Sequence, residues 1–504
     1  MANINNDLFE LIKSLTNAEI KQFYFFCKNQ GHKEEKQYLV LFEELRKASF
    51  YDEEHTKEKL KKVIKNYAVL KNYLFDLIIK SFMLDFTSSN PIFELNKSLV
   101  EIEILRGKGL LKRSNHLIEL TKKKAHECEE YQIVIQLIDQ QLKNIFFKGQ
   151  FNKTTYSKLI EERRTANDFL FRKNKLHILV NDLIFLENTT SFIAPNFTKR
   201  INEIKEELLA LLNQQPNPVF VDIICLENLS LIEARTEAFE EAIKHISELQ
   251  KKFKQLSEKL FLFKQFHYKY FNSILNKFFY EIRLKKIEQA TVSIHELEST
   301  GSYYNNKPES NAILSDLTFA KCFYMLSTGK FNTYELNEFD SLNTPNKVSA
   351  SMQQNRSFLI YATLLLFKKE LKKLTRIFFQ IETSDTQVFS GQFSGGTLLI
   401  YATLQFEKGD YEELLRLKKL ALKNTITNEQ SVLYWIDSLL QLLNEGINAL
   451  PIKLMQLSQA INSNNNKTLL SQYFLTDWLE SKIQNRPIEE ILSQKILKDK
   501  NSST

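Results

Sequence analysis

LLIYATLQFEKGDYEELLRLKKLALK, residues 398–423, contains two apolar-periodic stretches joined by the turn KGDY at 408–411. The same form of turn, a glycine followed two positions later by an aromatic residue or leucine, also occurs at Gly109, Gly149 and Gly329. Each copy lies between two stretches whose apolar residues have helical spacing. Regular self-similarity is the signature of a stacked repeat, so these turns predict an array of helical hairpins.

The composition also favours an all-α protein. The chain has 504 residues, of which only 11 are glycine and 8 are proline, and this scarcity disfavours a β-rich fold with many tight turns. Hydrophobic residues make up 43% of the chain, which is typical of a folded protein and not of a disordered one. The chain is longer than a single core usually supports, so we expect several domains or one extended array.

Charge and cysteine usage narrow the class of protein. The net charge of +7 is weak for this length, so it permits nucleic-acid binding without arguing for it. The cysteines, Cys27, Cys128, Cys225 and Cys322, are widely spaced, which predicts reduced thiols and not a disulfide framework. The N-terminus has no basic segment followed by a long apolar one, and no long uncharged apolar run follows. We therefore expect a cytoplasmic protein with no signal peptide and no membrane span.

Residues 1–90 are predicted to form a separate helical module. Asp7 is placed to cap a first helix, and Thr16 and Glu19 form a capping box for the second. One helix over 56–85 is predicted to end the module before Pro91, which can open the next helix at its first turn. Helical repeats are then predicted over 91–300 and 301–497, followed by a disordered polar tail over 498–504.

Turn centres at intervals of about 37 to 48 residues predict about nine hairpins after residue 90. The centres lie near Gly109, Gly149, Asn188, Glu237, Lys285, Gly329, Glu370, Gly409 and Gly446. Glycine suits such turns because it has no Cβ and adopts a positive φ at little cost. We therefore assign a structural turn role to Gly109, Gly149, Gly329 and Gly409.

Residues 398–423 resemble a tetratricopeptide repeat (TPR), a pair of antiparallel helices with a tight Gly-x-aromatic turn. Gly409 and Tyr411 match the turn of that family, and Ala402 and Ala421 match positions where small residues let the helices approach closely. Leu414 departs from the pattern, since a small residue is expected there. The predicted period also exceeds the family's usual length of about 34 residues, which implies longer helices or loops.

Other parts of the chain share this resemblance. Gly109, Ser114 and Thr121 match it in the first hairpin, while Phe239 and Ala242 match it in a hairpin that lacks the turn glycine. The opening LFELIKSLTNAEIKQFYFF is similar to the start of bacterial TPR-like proteins of no assigned activity. The resemblance implies a right-handed α-solenoid of irregular TPR-like hairpins behind an N-terminal helical module.

No residue pattern predicts catalysis. The glycine-rich stretch 390–397 could form a phosphate cradle, but it lacks the lysine of a P-loop, so a flexible loop capped by Thr397 is favoured. The close Cys/His pairs, Cys27 with His32 and His126 with Cys128, supply too few ligands for zinc. We therefore expect a protein that is not an enzyme and that has neither a cofactor nor a metal site.

The best candidate for binding is the segment 253–286, where aromatic and basic residues alternate. Such a segment could stack on bases and neutralise phosphates. The favoured interpretation is a long helix buried on two sides between neighbouring repeats, with its lysines at the wet edge. Lys264, Tyr268 and Lys269 are the candidate partner-binding residues of this segment.

Basic residues also cluster near three predicted second helices. These clusters are Lys112, Arg113 and Lys122 to Lys124; Lys368, Lys369, Lys372, Lys373 and Arg376; and Arg416, Lys418, Lys419 and Lys423. On a common face they would form a basic stripe, but the near-even charge count favours solvated lysines that balance nearby glutamates. Lys372, Arg376 and Arg416 complete the set of candidate partner-binding residues.

These features predict a non-enzymatic scaffold or adaptor that presents a concave helical-repeat surface to a protein or peptide. The alternative is a nucleic-acid-binding helical array, or a regulator that uses basic and aromatic helix faces. Steep salt dependence would mark nucleic-acid binding. In a regulator, Lys57 to Lys65 is the dense basic stretch of the N-terminal module.

Overall fold

A computed structural model describes residues 7–29, 37–61, 66–148, 152–189, 195–256, 261–305, 310–334, 352–383, 394–423, 429–444, 455–456, 459 and 474–501. These residues form 22 α-helices and one short 3-10 turn, Ser302–Tyr304, and they contain no β-strand. The predicted all-α class is therefore confirmed for the described part of the chain. None of its helices is long and apolar enough to cross a membrane.

The helices follow one another with short connections. The first eleven are α1 (Asp7–Ser14), α2 (Asn17–Asn29), α3 (Gln37–Lys47), α4 (Glu53–Leu60), α5 (Tyr67–Ser89), α6 (Pro91–Gly107), α7 (Leu111–Glu127), α8 (Tyr131–Lys148), α9 (Lys153–Thr189), α10 (Pro195–Leu212) and α11 (Val219–Arg235). The next eleven are α12 (Phe239–Lys254), α13 (Phe261–Arg283), α14 (Ile287–Gly301), α15 (Ser310–Thr328), α16 (Met352–Phe367), α17 (Leu371–Thr383), α18 (Ser394–Lys408), α19 (Tyr411–Lys423), α20 (Glu429–Asn444), α21 (Leu475–Gln484) and α22 (Ile488–Asn501).

The chain forms two compact units. The first comprises Met1–Ile178, Pro216–Val221 and Ser257–Lys264, and the second comprises Leu179–Gln215, Asp222–Leu256 and Gln265–Thr504. The predicted boundaries at residues 90 and 300 stay a prediction. The predicted tail over 498–504 overlaps α22, which extends to Asn501, while residues 502–504 lie outside the described part.

The N-terminal helices pack around one apolar cluster that includes Leu8, Phe23, Phe42, Leu74 and Ile78. The predicted capping box is present. The Thr16 N–H donates to the Glu19 carboxylate at 2.7 Å, and the Glu19 N–H donates to the Thr16 hydroxyl at 3.3 Å. Pro91 occupies the first turn of α6, and the Asn90 side chain caps that helix by accepting from the Ile92 N–H.

The single helix predicted over 56–85 is wrong. Two helices take its place, because α4 ends at Leu60 and α5 begins at Tyr67. The Asn66 side chain accepts a hydrogen bond from the Val69 N–H at 3.3 Å, which starts a new helix within an otherwise helical apolar pattern. Apolar spacing alone missed this local capping signal. Residues 62–65, part of the basic stretch Lys57 to Lys65, lie outside the described residues.

Helices α6, α7 and α8 pack as consecutive neighbours around Ile102, Ile118 and Val134. Polar contacts attach α9 to this group. Glu162 contacts Lys122 and His126 of α7, each at 3.0 Å, and Arg163 contacts Asp139 of α8 at 2.9 Å. The hydrogen bond from His126, followed by the Lys122 contacts, holds the pKa of the Glu162 carboxyl below its usual value. The Glu162 carboxylate of α9 therefore stabilises the packing of α9 on α7 through these polar contacts.

One long helix, α9, lies where the sequence predicts two helices. It continues for 37 residues, and the predicted turn centre at Asn188 lies in its last turn. The sequence of α9 contains no glycine or proline, so nothing in its backbone chemistry interrupts it. The predicted series of about nine irregular hairpins is therefore interrupted at this point. The predicted turns at Gly149 and Gly446 lie outside the described residues.

A single type of turn ends seven of the described helices. In each, one N–H donates to the carbonyl five residues earlier, and the preceding N–H donates to the carbonyl three residues before itself. The residue between the helix and the next segment has a positive φ, so each turn is a Schellman motif. The residues at this position are Gly109, Glu129, Glu237, Lys285, Lys369, Gly409 and Asn485.

The Schellman turns explain why a search for glycine finds only part of the pattern. Glu237 and Lys285 were predicted turn centres without glycine, and Glu370 directly follows the turn residue Lys369. The turn at Glu129 was missed, because neither glycine nor proline marks it. Hydrogen bonds to the last helical carbonyls compensate the cost of placing a non-glycine residue in the left-handed region.

Glu129 has a second role in the first unit. Its carboxylate accepts from the N–H groups of Val219 and Phe220, at 2.5 and 2.9 Å, and so caps the first turn of α11. On α9, Arg172 donates to the carbonyl of Pro216 at 2.9 Å, and the Lys173 ammonium lies 4.9 Å from the centre of the Phe220 ring. These contacts hold residues 216–220 within the first unit.

Two helices of the second unit are interior. Every residue of α16 from Phe358 to Phe367 is buried, and so is every residue of α18 from position 396 to 405. Trp435 of α20 donates its indole N–H to the Thr403 hydroxyl at 3.1 Å, and Trp478 of α21 donates to the Glu407 carboxylate at 2.7 Å. Neighbouring helices therefore cover α16 and α18 on all sides.

The last helix packs on one that lies far earlier in the second unit. Ser493 of α22 donates to the Thr328 carbonyl of α15 at 3.2 Å, across 165 positions of sequence. Gly329 lies directly under this contact with φ +70°. In a simple open solenoid each repeat touches only its neighbours. Helix α22 differs from this pattern, because it packs on α15, which is not its neighbour in sequence.

Gly329 follows α15 and Gly409 follows α18, and substitutions at these two glycines distinguish backbone strain from steric contact. Both have φ +70°, but a Cβ on Gly409 meets open space, whereas a Cβ on Gly329 lies 2.5 Å from the Glu489 carbonyl oxygen. We expect Gly409→Ala to destabilise the protein by about 1 kcal/mol and Gly329→Ala by at least about 2 kcal/mol more. Urea unfolding measures both. Equal losses would contradict the packing of α22 on α15.

Glycine substitutions at Glu237 and Glu129 are expected to act in opposite directions. Both residues have a positive φ, +60° and +54°, and glycine relieves that strain. The Glu237 side chain is exposed, so Glu237→Gly should stabilise by up to about 1 kcal/mol. Glu129→Gly also removes the cap on Val219 and Phe220, so it should destabilise by about 1–3 kcal/mol. Thermal unfolding tests the signs, and a stabilising Glu129→Gly would exclude the capping role.

Candidate protein-interaction surface

The residues that could perform chemistry do not converge in the described part of the chain. Within it, no group of three or more His, Cys, Asp or Glu side chains could hold a metal ion. Cys128, Cys225 and Cys322 are buried. Burial raises the pKa of all four thiols, that of Cys225 to about 12, which makes them poor nucleophiles at neutral pH.

The other chemical candidates of the sequence lie partly outside the described residues. His32, close to Cys27 in sequence, lies outside the described residues, and so do positions 390–393 of the glycine-rich stretch 390–397. The end of that stretch is the first turn of α18, which begins at Ser394. His126 contacts Glu162, so its described partner is a carboxylate and not a thiol.

The aromatic residues of segment 253–286 mostly face inward. Phe253, Phe266, Phe271 and Phe278 are at most 4% exposed. The rings of Phe253 and Tyr270 stack on each other with their centres 4.4 Å apart. Rings in this position contribute to the core of the second unit and are inaccessible to nucleic-acid bases.

The lysines of this segment mostly pair with acidic residues. The ion pairs are Lys254 with Glu296 at 3.2 Å, Lys269 with Glu227 at 2.6 Å, Lys277 with Glu281 at 3.9 Å, and Lys286 with Glu240 at 3.1 Å. Lys252, just before the segment, pairs with Asp222 at 2.7 Å. Candidate Tyr268 is half-buried and meets Tyr304 edge-on, and candidate Lys264 is exposed. The segment thus offers little uncompensated positive charge to phosphates.

The remaining sequence candidates lie on two other helices of the second unit. Lys372 and Arg376 are exposed on α17, and among the described residues no carboxylate oxygen lies within 4 Å of either. Arg416 on α19 pairs with Glu413 of the same helix at 2.6 Å. Together with Tyr268 and Lys269 on α13, the candidates of this unit are distributed over three helices.

Large exposed apolar side chains are concentrated in the first unit. In that unit they are Phe25, Val40, Phe50, Val69, Tyr73, Ile79, Met83, Phe93, Val100, Ile104, Leu110, Leu120, Phe146, Phe147, Tyr156, Phe171 and Ile178. The described residues of the second unit contain fewer of them, among them Val292, Phe379 and Leu422. Contiguous exposed apolar surface commonly marks a site of protein interaction.

Helix α6 carries the most regular line of these side chains. Phe93, Val100 and Ile104 are 44%, 60% and 58% exposed, and with Lys97 they have the spacing i, i+4, i+7, i+11. This spacing places them on one face of the helix. Leu95 and Ile102 on the opposite face are buried in the core. A surface helix needs only one apolar face for its own packing, so the exposed Val100 and Ile104 add apolar surface beyond that face.

Helix α7 borders this exposed face. Lys124 of α7 contacts Glu94 of α6, so these two residues mark the facing edges of the hairpin. Leu120 lies one turn before Lys124, and it is 56% exposed. The two helices are antiparallel around the turn at Gly109, so Leu120 lies on the side of α7 that Lys124 turns toward α6. We take the exposed Val100, Ile104 and Leu120 together as the apolar centre of this hairpin.

Exposed basic side chains occur on the same hairpin, on α7 and at the turn between α6 and α7. Lys108, Lys112, Arg113 and Lys123 are exposed, and no carboxylate of the described residues lies within 4 Å of any of them. Most of the acidic residues of α6 and α7 have partners, since Glu94 pairs with Lys124, Glu103 with Arg106 and Glu119 with Lys122, whereas Glu127 has no cation of the described residues within 4 Å. We call these four basic residues the basic rim. The apolar centre and the basic rim together are the α6–α7 surface.

Sequence reasoning found the basic rim in part and missed the apolar centre. Lys112, Arg113 and Lys123 belong to a recognised basic cluster, whereas Val100 and Ile104 were absorbed into the general helical periodicity. The available signal was that α6 has apolar residues on two opposite faces. Periodicity cannot tell which of two apolar faces points inward, because that depends on the neighbouring helices.

Comparisons with models of protein families, with curated proteins and with solved structures found no match to this chain. What can be inferred about function therefore rests on the residues and their geometry. The α6–α7 surface is the feature of the described residues in which exposure, spacing and charge coincide.

The prediction that one side of segment 253–286 is buried can be tested at Glu281 on α13, through the pH dependence of protein stability. Burial raises the pKa of its carboxyl, which accepts a hydrogen bond from Ser293 at 2.7 Å. A raised carboxyl pKa means that the folded state binds the proton more tightly, so ionisation destabilises the fold as pH rises through that pKa. We expect Glu281→Gln to raise the melting temperature at pH 7, and the gain to vanish below the unfolded-state pKa of about 4.3.

The exposed Glu248 on α12 offers the matched control. Glu248→Gln should change the melting temperature at pH 7 only slightly, as is usual for a substitution on the surface. A loss of stability in Glu281→Gln at pH 7 would show that the ionised carboxylate is favourable in the fold. That result would contradict the burial of this face of α13.

Proposed function

We propose that this protein is a non-enzymatic adaptor that binds another protein through the α6–α7 surface. The observation that carries the proposal is the exposed apolar face of α6, on a helix whose opposite face is already packed. Removing such side chains from water contributes about 1.5–3 kcal/mol for each one fully buried. Val100, Ile104 and Leu120 therefore provide a suitable centre for a protein interface.

We further propose that the hairpins are arranged as irregular TPR-like repeats in a right-handed array. The shared Schellman turns support this arrangement, as does the packing of helices in neighbouring pairs. The small residues Ser114, Ala242, Ala402 and Ala421 are all buried, as close helix crossings require. Buried thiols with raised pKa values are consistent with a reducing compartment, and we place the protein in the cytoplasm.

The proposed binding site is an outer helix face and not the concave side of an open array. In the second unit, α16 and α18 have no solvent-exposed side over residues 358–367 and 396–405. Nucleic-acid binding by segment 253–286 has less support, because its rings are buried and most of its lysines are paired. No geometric feature of the described residues favours that alternative over protein binding.

The test is quantitative affinity purification from the native cell with three tagged proteins. These are the parent chain, the double variant Val100→Glu/Ile104→Glu, and the control Val292→Glu, which changes a 66% exposed side chain on α14. We expect a protein partner to be recovered with the parent and the control. Recovery with the double variant should fall at least about tenfold, because two charges replace the apolar centre.

The outcome depends on folded variants and on removal of nucleic acid. Circular dichroism melting should therefore show similar unfolding temperatures for all three proteins, and each purification should be repeated after nuclease treatment. Partners recovered equally by the double variant would place the interaction elsewhere. A set of partners lost only after nuclease treatment would favour the nucleic-acid alternative.

A further inference from the structure

The α6–α7 surface has dimensions that suit one helix of a partner. Its apolar line on α6 extends from residue 93 to 104, which corresponds to about three turns and roughly 17 Å. A partner helix would meet it with apolar residues at i, i+3 or i+4, and i+7. The spacing of this line, i, i+4, i+7 and i+11, is that of the seam of a helix–helix contact, and Lys97, which pairs with Glu101, is its polar position.

The basic rim specifies the charge of that partner. Lys108, Lys112 and Arg113 cluster around the turn at Gly109, and Lys123 lies near the other end of α7. None of the four has a carboxylate within 4 Å among the described residues. Complementary charges across an interface accelerate association and disfavour partners of like charge. Acidic residues beside the apolar face of the partner would satisfy this rim.

Two other occupants fit the surface less well. A second copy of the chain, bound by the same surface around a two-fold axis, would place basic rim against basic rim. A nucleic acid would find phosphate contacts, but the apolar centre consists of the aliphatic residues Val100, Ile104 and Leu120. Aliphatic side chains do not provide the aromatic platforms on which single-stranded bases stack.

We infer that the α6–α7 surface binds an acidic amphipathic helix of a partner protein. The apolar face of that helix packs on Val100, Ile104 and Leu120, and its acidic residues lie against Lys108, Lys112, Arg113 and Lys123. This inference rests on the proposed function and adds the chemical class of the partner. It also assigns separate roles to the two sets of residues, with packing at the centre and charge selection at the rim.

The experiment measures binding of synthetic peptides to the full-length chain by fluorescence anisotropy. The first labelled peptide is about 20 residues long. It has leucines with the spacing i, i+3, i+7 and i+10, so that they share one helix face, and glutamates on both sides of that face. The second has lysine in place of every glutamate, and the third has the composition of the first with its leucines shuffled. We expect the first to bind at least about tenfold more tightly than either of the others, and its affinity to fall with salt.

Charge reversal on the protein isolates the role of the rim. Lys112→Glu/Arg113→Glu should weaken the acidic peptide at least about tenfold and strengthen the lysine peptide. Lys199→Glu/Lys330→Glu is the control, because those two exposed cations of the second unit also have no carboxylate of the described residues within 4 Å. It should leave both affinities unchanged. Equal binding of the acidic and lysine peptides, or equal effects of the two double variants, would overturn the inference.

The inference and the proposed function can fail separately. If Val100→Glu/Ile104→Glu still loses its cellular partner while no peptide discriminates by charge, the surface binds protein but the partner is not an acidic helix. If the double variant keeps its partner and the acidic peptide does not bind, both fail. Tighter binding of a labelled single-stranded DNA 20-mer, unaffected by Val100→Glu/Ile104→Glu, would overturn the inference in favour of nucleic acid.

Discussion

The need to satisfy the last carbonyl groups of each helix underlies the architecture of this protein. A chain of 22 described helices must stop and restart many times, and every stop leaves carbonyls without helical partners. Seven of the described helix ends meet this need with the same Schellman turn, which requires one residue with a positive φ. Because the turn is compact, consecutive helices return side by side and pack in neighbouring pairs.

The same turn leads to different outcomes in the two units. At Glu129 the turn residue also supplies the carboxylate that caps Val219 and Phe220, so one residue joins two helix ends of the first unit. In the second unit, α22 packs on Gly329 and α15, and α16 and α18 become interior helices. Burial there leaves no open helix face over residues 358–367 and 396–405 for a partner. The binding site that we propose is for this reason an outer face, where α6 has exposed apolar residues in addition to its packed face.

The sequence was sufficient to predict the class of the fold and several of its helix starts and turns. Apolar periodicity with few glycines and prolines was sufficient for an all-α prediction, and the capping box at Thr16 and Glu19 follows from local hydrogen bonding. Reasoning failed where a local polar signal competed with periodicity, as at Asn66, and where the turn residue was a glutamate, as at Glu129. Of the candidate site, the basic residues of α7 were visible as a cluster, but the exposed centre on α6 was not.

What the sequence by itself determined is the all-α class and several helix starts and turns, because propensity, capping and apolar spacing act between residues that are close along the chain. Only the tertiary structure decided which apolar face of α6 remains outside, which lysines of segment 253–286 have carboxylate partners, and where α22 comes to rest. These properties depend on contacts between residues far apart in sequence. Identical apolar spacing can therefore describe a buried face, as at Leu95 and Ile102, or an exposed one, as at Val100 and Ile104.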